Sequence, residues 1–218
     1  MAMQATHVLC ALELEKYLGI EDQAQYLSGV VYPDSRYMCK IDRDLTHNPN
    51  LVIKDALCGS DFEKGCTAHV LYDVLQRKYI YNIFNIPHEH TMIGYSDLWF
   101  KVSAAKYIED IHSFESLQDR GFSFTSIIQT QCPNNEDKTL ISEWYELQHR
   151  VYDSGIPHFE TYTPILDWLE NHRPGAKAKI CCIVNELLED QKILSNIYSM
   201  YGNVMKEIYE GLGVAKQQ

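Results

Sequence analysis

The chain has 218 residues and a hydrophobic content of 45%, which suits one domain with a full core rather than a disordered protein. Its formal net charge of −11 disfavours a protein whose main task is to bind nucleic acid, because that task requires a basic surface. The absence of a long apolar run, of a signal-peptide pattern and of any C-x-x-C pair among seven cysteines predicts a cytoplasmic protein with reduced thiols and no transmembrane segment.

The first part of the chain predicts two helices and a rigid corner. Residues 5–18 have the pattern of a helix, with Thr6 as its N-cap and Gly19 at its end. Residues 21–31 predict a second, apolar helix, and a proline then ends the helix and fixes the turn. Asp34 follows that proline, so its carboxylate is expected at a fixed position. An aspartate at such a place is also common as a turn residue or an N-cap.

A long helix predicted over residues 61–84 carries two candidate metal ligands. His69 and Asp73 lie four residues apart, which puts both side chains on one face about one turn apart. An imidazole and a carboxylate in this arrangement can bind one divalent ion such as zinc. A single His-x-x-x-Asp pattern is more often an ordinary helix ion pair, so it indicates a metal site only together with further ligands. Residues 42–49 predict a polar loop that contributes His47.

The rest of the chain predicts further helices and one strand. Residues 122–131 alternate apolar and polar side chains like a strand, with a helix as the alternative. Lys106 and His112 are expected to face water, as most such residues do, with a position facing a pocket as the alternative. The long C-terminal segment, about 50 Å if continuous, is expected to pack as core, with a homodimer interface as the alternative. Helices are expected over residues 99–115, 137–153, 159–171 and 176–212, the last as one helix or two collinear ones.

These elements predict an all-α, multi-helix bundle that forms a single domain over residues 1–218, with a metal site at one end and a long C-terminal helix. Four or five nitrogen and oxygen ligands suit one zinc ion, and a bridging carboxylate allows two. Bound zinc lowers the pKa of water towards about 7 and polarises a phosphoryl oxygen, so hydrolysis of a phosphate ester is the favoured reaction. The candidate ligands are His7, Asp34, His47, His69 and Asp73.

The order of these residues resembles the zinc-dependent phospholipase C and P1-type nuclease superfamily. The resemblance rests on an early histidine, on Gly-x-x-x-Pro-Asp at residues 29–34, on Thr46-His47 and on His69-x-x-x-Asp73. It implies an all-α fold with up to three zinc ions at the end of a helical bundle. It also implies that one zinc ion is bound by Asp34, His47, His69 and Asp73. Asp73 would bridge to a second ion that His7 also binds, and Asp34 would be the general base that orients the attacking water.

The chain departs from that superfamily after Asp73. Secreted members use their mature N-terminal amine and a tryptophan as ligands, whereas this chain begins with Met-Ala-Met. A third zinc ion needs a lone histidine, for which His88 and His90 are the candidates, and a second His-x-x-x-acid pair. His149 and Asp153 have the spacing of that pair. We therefore predict one to three zinc ions, with two as the expected number.

The expected substrate is a small phosphate ester or a phospholipid head group, and nucleic-acid binding is not expected. One alternative is an HD-type all-α metal phosphohydrolase, which is weakened because the chain contains no His-Asp dipeptide. Another is a helical interaction domain with a structural metal, favoured by the long C-terminal helix and the 15 tyrosines. A catalytic zinc site keeps an open coordination position, whereas a structural site is closed by protein ligands.

Overall fold

A computed structural model describes residues 3–48, 58–87, 96–153, 155 and 157–214. The described residues form helices and contain no strand, which confirms the predicted all-α bundle with its helical C-terminal segment. In these ranges, no helix combines the length and the apolar character needed to cross a membrane. The helices are α1 (Gln4–Leu18), α2 (Gln23–Val31), α3 (Arg36–Cys39), α4 (Arg43–Thr46), α5 (Asp61–Ile83), α6 (Asp97–Asp119), α7 (Lys138–Tyr152), α8 (Thr163–His172), α9 (Ala176–Glu189) and α10 (Gln191–Leu212). Short 3-10 helices span Tyr32–Ser35, Phe124–Ser126 and Phe159–Tyr162.

The predicted strand over residues 122–131 is wrong. A 3-10 helix occupies Phe124–Ser126, and the segment around it is irregular. Phe124 and Ile127, three residues apart, are buried, whereas Ile128 is 52% exposed. A strand would leave its backbone groups unpaired here, because the described residues offer no second strand beside it.

The start of α1 differs from expectation. Thr6 is not the N-cap of α1, because the helix already begins at Gln4. Of the two alternatives for the C-terminal segment, the structure has two helices: the chain breaks at Asp190, whose carboxylate accepts hydrogen bonds from the Lys192 and Ile193 amides of α10. Gly19 ends α1 as predicted, in the left-handed conformation with φ of 59°.

The core is organised around α5 and α6. Helix α5 packs against α1, α2 and α10, and α6 packs against α1, α9 and α10. The buried apolar side chains of these helices form one contiguous cluster. A capping box formed by Ser60 and Glu63 fixes the start of α5. The candidate ligands of α1 and α5 are therefore carried by helices that pack directly on each other.

Helices α2 and α5 approach closely at a pair of glycines. A methyl group at Gly65 would overlap the Tyr26 carbonyl oxygen and lie 2.8 Å from the Val30 amide nitrogen. A methyl group at Gly29 would overlap the Phe62 carbonyl group in the same way. The missing side chains thus let the two backbones meet, and they bring the end of α2, with Asp34 beyond it, next to α5.

Asp110 on α6 fixes the start of α1. One of its carboxylate oxygens accepts a hydrogen bond from the Thr6 amide at 2.6 Å. The other accepts from the hydroxyls of Tyr152 at 2.7 Å and Tyr162 at 2.6 Å. Because Thr6 directly precedes His7, this fully buried carboxylate sets the position of that histidine relative to α6.

Glu109, the neighbour of Asp110, links α6 to α5 and makes stability depend on pH. Its carboxyl accepts hydrogen bonds from the Tyr72 hydroxyl at 2.6 Å and from the Gln76 amide. Burial raises its pKa from 4.5 to about 7. The folded state therefore binds the proton more tightly than the unfolded state, and stability falls as pH rises from about 4.5 to about 7.

We expect Glu109→Gln to remove this pH dependence, because an amide resembles the protonated carboxyl and does not ionise. The variant should match the wild type near pH 4.5 and exceed its free energy of unfolding by about 2–3 kcal/mol above pH 7. Urea unfolding of both proteins across this range measures the difference. A difference that stays constant with pH would contradict the assignment.

Candidate metal centre

The five predicted ligands lie together, and we call them the His–Asp cluster: His7, Asp34, His47, His69 and Asp73. His7 is the fourth residue of α1, and His69 and Asp73 lie on α5. Asp34 lies in the 3-10 helix that follows α2, and His47 directly follows the short helix α4. The four residues other than Asp73 are at most 4% exposed, and the Asp73 side chain is 12% exposed.

Each carboxylate faces two histidines. The Asp34 oxygens lie 3.7 Å from His47 Nε2 and 3.8 Å from His69 Nε2. The Asp73 oxygens lie 3.7 Å from His7 Nε2 and 3.7 Å from His47 Nε2. These separations are too long for hydrogen bonds. Two ligand atoms that bind the same zinc ion, each at about 2.1 Å, are about 3.4 Å apart at the tetrahedral angle. The observed nitrogen–oxygen distances are slightly longer, so a small contraction of the cluster would let each pair share an ion.

Hydrogen bonds fix the protonation of two imidazoles. His69 Nδ1 lies 2.8 Å from the Val30 carbonyl oxygen, which can only accept, so Nδ1 carries the proton. The Thr46 hydroxyl donates to the Arg43 carbonyl and lies 2.9 Å from His47 Nδ1, so it accepts from that nitrogen. Both Nε2 atoms therefore present a lone pair to the carboxylates. Metal-binding histidines are typically oriented by such bonds at the opposite nitrogen.

Those two Nε2 atoms are buried and have no hydrogen-bond partner among the described residues. A buried polar atom without a partner is costly, so its presence in a well-packed core calls for an explanation. A metal ion would satisfy both atoms at once. The donor atoms of the His–Asp cluster therefore fit a zinc ion.

His7 differs from the other two histidines. Its ring stacks on that of His69 with 3.7 Å between centroids and an interplanar angle of 19°. Its Nδ1 is buried without a partner in the described part of the chain, while its Nε2 faces Asp73. The protonation of His7 is thus not fixed by a hydrogen bond, and its place in the cluster is set by the packing of α1.

The electrostatics favour the forms that bind metals. Burial lowers the pKa of His47 to about 3 and also holds the pKa of His7 and His69 below the usual value, so the imidazoles are neutral at neutral pH. Burial alone would raise the pKa of Asp73, but the adjacent Lys106 ammonium group outweighs it and holds that pKa well below the usual range, and the pKa of Asp34 is low as well. Neutral imidazoles and ionised carboxylates are the ligand forms that zinc requires.

Lys106 on α6 is a neighbour of the His–Asp cluster that sequence patterns did not pair with a metal ligand. Its ammonium group lies 2.6 Å from Asp73 Oδ1, the same oxygen that faces His7. The sequence placed Lys106 near a pocket only as the less common outcome, and the structure pairs it with a predicted metal ligand. Its contact explains why the pKa of Asp73 is low despite burial.

The candidates for a third ion are not brought to this site by the described residues. His149 Nε2 donates to the Ile127 carbonyl at 2.8 Å, and Asp153 is exposed at the end of α7. Neither belongs to the groups of the described chain that could hold a metal. His88 and His90 lie outside the described residues. His112 is exposed and lies 3.3 Å from Glu115, away from the cluster.

Of two cavities that the described residues form near the cluster, the smaller one reaches it. The larger, about 380 Å³, borders Thr46 and Val70, which are neighbours of ligands in the chain, but it contacts no member of the His–Asp cluster. The smaller cavity is lined by Asp73 and Lys106. We take the smaller cavity as the approach to the site, because chemistry at the cluster requires contact with its ligands.

No protein-family model matches the chain, and no match is found among curated proteins or among solved structures. The function of the chain is therefore inferred from the geometry of the His–Asp cluster.

Proposed function

We propose that the protein is a zinc-dependent phosphoesterase whose metal centre is the His–Asp cluster. The observation that carries the proposal is the pair of buried Nε2 atoms of His47 and His69, which lack partners among the described residues and face the carboxylates of Asp34 and Asp73. A ligand set of three neutral imidazoles and two carboxylates is typical of zinc.

The distances between the carboxylates and the histidines support two metal ions. The first ion would be held by Asp34, His47 and His69, with one oxygen of Asp73. The other oxygen of Asp73 faces His7, which makes this pair the candidate for a second ion. His69 cannot serve both ions, because its Nδ1 already donates to Val30. Asp73 is thus the proposed bridge.

The reaction is the attack of water on the phosphorus of a phosphate ester. When bound, zinc lowers the pKa of water towards about 7 and polarises a phosphoryl oxygen. Asp34 is the proposed general base: its carboxylate orients the attacking water and takes up one proton. The water oxygen bonds to phosphorus, the ester P–O bond breaks, and its electron pair stays on the leaving oxygen, which receives the proton that Asp34 took up. The products are a phosphate and an alcohol.

The proposal is tested by the zinc content of the purified protein. We expect about two zinc equivalents per chain in the wild type, and a loss of about tenfold or more in His69→Ala, by elemental mass spectrometry. His47→Asn provides a second variant, since asparagine suits the end of a helix. His112→Ala is the matched control, because His112 is exposed on α6.

Circular dichroism of each variant separates loss of metal from loss of fold. Hydrolysis of p-nitrophenyl phosphate esters should follow the zinc content across the series. A wild-type protein that binds no zinc even after zinc is added would overturn the proposal and favour a helical interaction domain.

A further inference from the structure

The cavity that reaches the His–Asp cluster is basic, although the chain as a whole is acidic. We call it the basic cavity. It brings together cations from three helices: Arg43 of α4, Arg77 of α5 and Lys106 of α6. Asp73 forms part of its wall.

The two arginines have no acidic partner in the part of the chain that the structure describes. Among the described residues, Arg43 and Arg77 form no ion pair, whereas Lys106 is paired with Asp73. Three cations and one carboxylate leave two positive charges in the cavity. In a chain with a net charge of −11, such a grouping is not explained by general surface composition. Both charges are free to act on an anionic ligand.

The position of the basic cavity defines which anion it suits. Asp73 belongs both to the cavity and to the His–Asp cluster, so a ligand in the cavity lies next to the metal centre. Guanidinium groups match the planar, bidentate geometry of phosphate oxygens. Each fixed cation stabilises a doubly charged phosphoryl group about twice as strongly as a singly charged one at the same distance.

We propose that the basic cavity binds the terminal phosphoryl group of the substrate, which makes the protein a phosphomonoesterase rather than a diesterase. The proposal rests on the proposed metal centre and narrows its substrate. A monoester carries a doubly charged phosphoryl group, whereas a diester or a phospholipid head group carries one charge and a second organic substituent on phosphorus. Arg43 and Arg77 compensate the additional charge, and Lys106 completes the set of donors.

The test measures binding, not only turnover. Isothermal titration calorimetry at about pH 8 compares inorganic phosphate, mainly a dianion there, with the monoanion dimethyl phosphate. The zinc-loaded wild type should bind phosphate more tightly. Arg43→Gln should weaken phosphate binding about tenfold, and Arg77→Gln about threefold, because Arg77 is more exposed. Dimethyl phosphate binding should change less than about threefold in both variants.

Arg150→Gln is the matched control, because Arg150 is exposed on α7 and does not line the basic cavity. It should bind phosphate like the wild type. The zinc content should be unchanged in all three variants. The turnover of a p-nitrophenyl monoester should fall more than that of the diester in Arg43→Gln.

The outcomes separate the two proposals. A double variant of Arg43 and Arg77 that keeps wild-type phosphate affinity, or a wild type that binds phosphate no better than dimethyl phosphate, would overturn the basic cavity as the phosphoryl site while leaving the zinc result intact. A wild type without zinc would instead overturn the metal centre, and the phosphate titration would still decide whether the cavity binds a dianion.

Discussion

Asp73→Asn is expected to remove zinc and hydrolysis together. Asp73 is the proposed bridge, since its two oxygens face His7 and His47 at 3.7 Å. Asparagine keeps the shape but has one weak oxygen ligand and no charge. Loss of groups that merely support a ligand costs 10–100-fold in metal affinity, so loss of a shared ligand should cost about 100-fold or more. Zinc titration with a competing chelator measures the change.

The control for Asp73→Asn must account for Lys106. The substitution leaves the Lys106 ammonium without its carboxylate partner, which by itself destabilises the fold. The double variant Asp73→Asn/Lys106→Met should recover part of that stability and still lack zinc. Asp153→Asn, which alters the exposed aspartate of the second His-x-x-x-Asp pattern, should keep both zinc and activity. Wild-type zinc content and full activity in Asp73→Asn would show that the site is misplaced.

Residue type and helix spacing are enough to predict the ligands of the His–Asp cluster. His69 and Asp73 could be placed on one face because four residues make about one helical turn. Lys106 could not be paired with Asp73, because the two residues lie on different helices and nothing in their local sequence defines which faces meet. The same limit applies to the hydrogen bond between His69 and the Val30 carbonyl, which depends on the contact of α5 with α2.

Residue type indicates two features of the fold that helical periodicity alone does not define. Asp190 stands between two apolar helical stripes, and aspartate is a strong N-cap, so its position indicates a new helix start. Gly29 and Gly65 each interrupt a helical pattern, where glycine is unfavourable unless close packing requires it. The two glycines in the sequence thus indicate the contact between α2 and α5 that positions the metal ligands.

Gly65→Ala is expected to destabilise the protein and weaken metal binding at the same time. The added methyl group would overlap the Tyr26 carbonyl, and backbone cannot move aside as a flexible side chain can. Overpacking of this kind costs about 1–3 kcal/mol or more, which exceeds the gain of about 1 kcal/mol in helix propensity. Separation of α2 from α5 would also draw the Val30 carbonyl away from His69 Nδ1 and shift Asp34. Urea unfolding and zinc titration measure the two effects.

Gly202→Ala separates the effect of close packing from that of helix propensity. Gly202 lies within α10, and a methyl group there would meet no atom of the described chain within 4 Å. The substitution should therefore stabilise the protein by about 0.5–1 kcal/mol through helix propensity alone and leave zinc affinity unchanged. If the free energy of unfolding falls in Gly65→Ala and rises in Gly202→Ala, the contact between α2 and α5, and not the loss of a glycine as such, determines both stability and the geometry of the metal centre. Equal, stabilising effects would show that α2 can move away from α5 at little cost, and that His69 and Asp34 do not depend on this contact.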